Sequence, residues 1–212
     1  MRKRIPSRFF HIRRAIALLL PAATLALIIS SRPLQAQFLS KPINLAYLAQ
    51  RADVIVQGKV TDVLNERLPG YPNIPTIKVT LNVESMVRGP AAATYTFREI
   101  ILGLRPREDK RSYKVGQQLF LFMLTPSQYG LSSPIGDEQG RFRITRNPKG
   151  NLTVINGNNN EGMFTNVELA ASKAGRKLTR SQSRVAATRR GPVQLDEFVS
   201  LVKSLTSLPR IR

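Results

Sequence analysis

Residues 76–87, TIKVTLNVESMV, place Ile77, Val79, Leu81 and Val83 on one face and Lys78, Thr80, Asn82 and Glu84 on the other. Alternation with period two is the mark of a half-buried β-strand; a helix needs its apolar residues three and four apart. Arg88-Gly89-Pro90 supplies turn chemistry directly after it. Residues 53–64 (DVIVQGKVTDVL) read as a second strand, a continuous apolar run that then alternates through Val60, Asp62 and Leu64. Gly58 interrupts it, and a glycine inside a strand pattern predicts a bulge or a close backbone approach. Residues 94–102 (TYTFREIIL) give a further strand, and Gln118 to Thr125 (QLFLFMLT) is apolar at both parities, as a central strand covered on each face would be. Residues 140–145 and 151–155 form a hairpin across Asn147-Pro148-Lys149-Gly150. Five or six short strands separated by turn signals predict a mainly β fold, a small barrel or curled sheet.

Two helices frame it. Ile43, Leu45, Tyr47 and Leu48 before Ala52-Asp53 predict a short N-terminal helix that plugs one end of the barrel. Near the C-terminus Leu195, Phe198, Val199, Leu201, Val202 and Leu205 recur at helical spacing between 192 and 206, with Asp196 and Glu197 early and Lys203 late, as the helix dipole favours. Its polar face is of mixed sign, so packing on the sheet is favoured over a membrane surface.

The first 36 residues carry no such pattern. Arg2, Lys3, Arg4, Arg8, Arg13 and Arg14 precede an apolar run from Ala15 to Ile29, broken by Pro21, and Leu34-Gln35-Ala36 ends in a small-residue cleavage site. A basic region, a short apolar run and a small-residue site make a secretory signal, and the run is shorter than the roughly 20 residues a membrane span needs. Cleavage after Ala36 starts the mature chain at Gln37 and leaves no integral span. The expected location is exported, periplasmic or extracellular. The single histidine, His11, leaves with the signal, and the sequence holds no cysteine. The mature chain therefore has neither imidazole nor thiol, which removes most nucleophilic and metal-binding chemistry. Asn151-Leu152-Thr153 matches a glycosylation sequon, a short pattern that also arises by chance.

The sequence has 33 basic and 13 acidic residues; seven of the basic ones and none of the acidic ones precede Gln37, so the mature chain keeps a net +13. The excess concentrates between Glu168 and Asp196, where no acid stands and Lys173, Arg176, Lys177, Arg180, Arg184, Arg189 and Arg190 alternate with Ser, Ala, Thr and Gly. So little apolar surface predicts a basic flexible loop over 171–191, linking a β domain at 37–170 to the C-terminal helix at 192–206. These seven cations are the candidate polyanion-binding residues.

Other chemistry is sparse. Glu108-Asp109, Asp137-Glu138 and Asp196-Glu197 are adjacent acids, and neighbours point to different sides of an element, so they make no catalytic dyad. Gly136-Asp137-Glu138-Gln139-Gly140 lacks the alternating spacing of a calcium loop and reads as a turn. Serines and lysines are plentiful, but no strained elbow marks a hydrolase pair. Tyr95, Phe97, Phe120, Phe122 and Phe142 sit at strand positions where rings pack in cores more often than they stack ligands. No catalytic residue, metal ligand or cofactor site is assigned.

One resemblance can be drawn. Leu45, Leu48, Ala52-Asp53-Val54-Ile55-Val56, Gly58-Lys59-Val60, residues 76–83, Arg88-Gly89, Tyr113, Gly116-Gln117-Gln118 and the run 119–124, with residues 136–144 and Leu195-Asp196-Glu197-Phe198, resemble a group of exported bacterial proteins of unknown function. More distantly the pattern is similar to the oligonucleotide/oligosaccharide-binding-like (OB-like) barrel of netrin modules and tissue inhibitors of metalloproteinases. Those inhibitors chelate metal through an N-terminal cysteine; Gln37 stands in that place, and inhibition does not carry over. The glycine-rich segment after the third strand in the group is reduced here to Gly103. The resemblance implies an OB-like barrel of five to six strands with a short N-terminal helix and an amphipathic C-terminal helix. The expected role is an exported, non-enzymatic binding or accessory module of the cell envelope. The alternative is a polyanion-binding protein acting on acidic polysaccharide, anionic lipid or, less favoured, nucleic acid.

Overall fold

Among the residues described by the computed structural model, 43–101 and 113–210, the chain builds one antiparallel sheet of seven strands and four helices. The expected signal segment at 1–36, its cleavage site, Gly103 and the pair Glu108-Asp109 lie outside the described residues. Helix α1 (Leu45–Arg51) leads into β1 (Val54–Leu68), β2 (Tyr71–Arg88), β3 (Thr94–Ile100) and β4 (Gln118–Met123). A 3-10 turn (Asp137–Gln139) precedes β5 (Arg141–Arg146) and β6 (Leu152–Asn156). Then come α2 (Val167–Lys173), α3 (Arg180–Ala186), β7 (Val193–Gln194) and α4 (Leu195–Thr206). The strand order is β3-β2-β1-β4-β5-β6-β7.

The mainly β expectation holds, while the ladder has seven strands rather than five or six and does not close into a barrel. It curls instead. The Tyr113 ring packs 5.4 Å from Phe97 on β3 and lies under the Arg141 guanidinium of β5 at 4.4 Å, although two of the strands between β3 and β5 are the longest in the fold. The seam between β3 and β4 is bridged by residues 132–135. Ser132 N–H donates to the Arg98 carbonyl on β3 (2.8 Å), and Ile135 N–H donates to the Phe122 carbonyl on β4 (2.9 Å). A single hydrogen bond to β3 is not a ladder. The sheet does not return to β3 because β5 pairs onward with β6, and β6 with β7, carrying it under the helices.

The curvature has a local cause in β1 and β2. Their register shifts at Ile55/Val56, Gln57/Gly58 and Val60/Asp62, each shift an extra residue that bends and twists the pair. Gly58 sits at the second shift, where a Cβ would lie 2.5 Å from the Asn82 carbonyl oxygen. Gly58→Val therefore destabilises the domain by about 1–3 kcal/mol, an overpacking penalty that outweighs the ~1 kcal/mol span of strand propensity. Chemical denaturation reads it, and unchanged or raised stability contradicts the close approach.

The two faces of the sheet build two cores. Inside the curl, Val56, Val60, Val79, Leu81, Phe97, Leu119, Leu121 and Met123 pack together. On the outer face Ile55, Phe120, Phe122, Phe142 and Val154 meet α1 through Leu45 and Leu48 and α4 through Phe198, Leu201, Val202 and Leu205. β4 serves both, as its apolar run required. Arg88 ties the helices to the sheet: its guanidinium donates to the carbonyls of Ala49 (2.5 Å) and Ala52 (2.9 Å) at the end of α1 and to Thr206 (2.8 Å) at the end of α4. A cation at two helix C-termini satisfies carbonyls that have no partner within their helices.

Candidate functional site: a basic surface on α2 and α3

The stretch 171–191, expected as a flexible loop, contains the end of α2 and all of α3, and here the structure corrects the sequence reading. Few apolar residues suffice because polar anchors do the holding. Val185 is buried in the outer core. Gln182, only 5 % exposed, donates from Nε2 to the Ser200 carbonyl (3.1 Å) and to the Ser200 (3.0 Å) and Ser204 (2.8 Å) hydroxyls of α4. Thr179 and Gln182 form a reciprocal capping box at the start of α3. Gly175, at φ +70, reverses the chain after α2, and Arg176 N–H donates to the Ala171 carbonyl (2.9 Å). At the far end Gly191 N–H donates to the Asn159 carbonyl (2.7 Å), and Asn160, fully buried, donates from Nδ2 to the Gly191 carbonyl (2.9 Å). The segment is thus fixed at both ends and in the middle.

On this frame all seven candidate cations point to solvent: Lys173 ends α2, Arg176 and Lys177 occupy the connection, Arg180 and Arg184 share one side of α3, and Arg189 and Arg190 follow it. Arg184 pairs with Glu197 of α4, Nη1 to Oε1 at 2.5 Å. Among the described residues no carboxylate lies within ion-pair distance of the other six. Five of the seven are arginines, whose planar forks suit oxyanions. No exposed large apolar side chain lies between 172 and 190; the nearest is Leu169 on α2.

The other candidates resolve as structure. Phe120, Phe122 and Phe142 are in the outer core and Phe97 in the inner one, with Tyr95 packed beside it, its hydroxyl pKa pushed by burial to about 12. The exposed aromatic pair is one that the sequence did not signal, Tyr71 and Tyr129, edge to face at 5.5 Å. The segment 136–140 is a turn: Glu138 bridges to Arg141, and Gln139 Oε1 accepts from Ile43 N–H (2.8 Å). Among the described residues no group of three His, Cys, Asp or Glu is placed to hold a metal. A cleft of about 390 Å³ is lined by Arg98, Glu99, Ser132 and Asp137 among others. Its Arg98 is bound to Glu66 (2.6 Å), and its Ser132 hydroxyl donates to the Leu124 carbonyl (2.7 Å) rather than to a base. Deep beside it, Tyr113 donates to Glu99 (2.8 Å), and burial, then the Glu99 charge, raises the phenol well above its usual range. None of the described helices is long and apolar enough to cross a membrane.

No protein-family model matches the chain, and no curated protein or solved structure matches it either.

Proposed function

We propose that the protein is an exported, non-enzymatic binding module of the cell envelope whose ligand is a linear acidic polymer, an acidic polysaccharide above all, bound along Lys173 to Arg190. The observation that carries this reading is a set of six exposed cations with no carboxylate partner among the described residues, held on two short ordered helices and their connections rather than on a mobile tether. Preorganised cations lose little entropy on binding, which favours a regular row of anions. The segment has no exposed ring on which a nucleobase could stack and lacks the row of apolar side chains that anchors a surface helix in lipid, so charge is its means of recognition. Export rests on the signal-like segment 1–36, and N-terminal sequencing of the mature protein should read Gln37. The curl of β1–β4 with residues 132–135 across its seam is the part of the fold we liken to an OB-like barrel.

Retention on a heparin column tests the ligand class. Because Gln182 and Val185 are buried, charge replacement is the right probe, not deletion. Arg176→Gln/Lys177→Gln/Arg180→Gln should elute at clearly lower salt than the wild type with an unchanged melting temperature. Equal elution of the two proteins overturns the assignment of the surface, and wild-type protein passing through at physiological salt overturns the polymer reading.

A further inference from the structure

Arg184 differs from the other six cations, since its guanidinium is already bound. It is 67 % exposed, while its partner Glu197 is only 20 % exposed. The carboxylate lies in a cleft of about 180 Å³ between α3, the 188–194 turn and the start of α4, with Thr188 and Gln194 also lining it. Arg189 and Arg190 lie within a few residues of this cleft and have no acidic partner among the described residues. An exposed arginine lining a partly polar cleft, with Arg189 and Arg190 directly following Thr188 of its lining in the sequence, is arranged to receive an oxyanion, and the Glu197 carboxylate bound to it stands where that oxyanion would sit.

We infer that this cleft is an anion seat for a phosphate or sulfate group of the polymer, and that Glu197 is its internal occupant, which an incoming group must displace from Arg184. The inference rests on the polymer-binding reading and adds its regulation: Glu197 sets the threshold, so weak or sparse anions leave the seat closed and dense ones open it. An exposed ion pair is weak enough to exchange for a better anion, and its competition is correspondingly modest.

A double-mutant cycle with heparin as the probe separates this from a general charge effect. Glu197→Gln should tighten heparin binding about threefold, the range open to one partly exposed pair. In an Arg184→Gln background the same replacement should have almost no effect. Glu197→Asp, which keeps the charge but shortens the reach to Arg184, should also tighten binding and provides a second route if Glu197→Gln is poorly folded. If Glu197→Gln acts equally in both backgrounds, or if neither Glu197 variant changes binding, Glu197 does not occupy the seat, although the polymer reading stands. A wild-type protein that does not bind heparin overturns both.

Discussion

Phe198→Ala lowers the stability of the fold by about 3–5 kcal/mol, the usual loss when a buried phenylalanine becomes a cavity. Phe198 is the outward reach of α4 into the sheet. It is fully buried, with its ring 4.9 Å from Phe142 on β5 and 5.3 Å from Phe120 on β4. Phe122 continues the cluster at 5.7 Å from Phe142. Truncation therefore removes the ring through which the helix meets two neighbouring strands, and aromatic contacts contribute beyond their area. Chemical denaturation of the variant measures it. A loss below about 1 kcal/mol would mean that α4 is not docked as described.

Glu138→Gln should have an effect of similar size for a different reason. Arg141 is 5 % exposed and Glu138 7 % exposed, and the pair joins the first residue of β5 to the preceding 3-10 turn. Burial opposes the charge on Arg141, but the neighbouring Tyr113 and Glu138 outweigh it, so the guanidinium holds its proton more firmly than usual. Removing the Glu138 charge breaks a buried ion pair, a change that typically loses about 3–5 kcal/mol. The pair Glu138→Gln/Arg141→Met should be less destabilised than the sum of its two single variants, because it removes both charges together. Strict additivity contradicts the account of this pair. Gly157 adds a second check, since a Cβ there would fall 2.5 Å from the Glu138 carboxylate.

The β elements were legible because their faces differ sharply. Ile77, Val79, Leu81 and Val83 show the alternation of β2, and the apolar parity of Phe120/Phe122 against Leu119/Leu121 shows a strand used by two cores. Gly58 was readable too, since a glycine inside a strand pattern signals a bulge or a close approach, and both occur there. Closure was not, because it depends on where β5 goes after pairing with β4, a long-range choice that no local pattern encodes. β7 escaped notice because Val193 and Gln194 run straight into α4 and share its apolar rhythm. The larger miss is α3. Apolar content said loop, yet Thr179-Arg180-Ser181-Gln182 is a Thr-x-x-Gln capping box visible in the sequence, and its Gln182 is also the anchor to α4.

The candidate site shows the same division. Composition alone picked out all seven cations, since charge is a property of residue type. Their fixation was hidden in contacts between distant residues: Asn160 to Gly191, 31 positions apart, and Arg184 to Glu197, 13 apart. A polar anchor has no periodicity, so an Asn-rich turn at 156–160 reads only as a loop until Asn156 and Asn160 are seen buried and bonded to each other's backbone, at 2.7 and 2.9 Å.

Amide hydrogen exchange of the protein, with and without heparin, tests the central claim most directly, because it reads order and contact on the same residues. In the free protein the amides of Ser183 and Ala187, which donate to Thr179 and Ser183 at 2.9 Å, should already be protected, as an ordered helix requires. Heparin should then add protection across 173–190 and at the start of α4, leaving the 147–150 hairpin turn and the cleft beside Arg98 unchanged. Exchange of 179–187 at unstructured rates, or a heparin footprint centred anywhere else on the fold, would contradict the account.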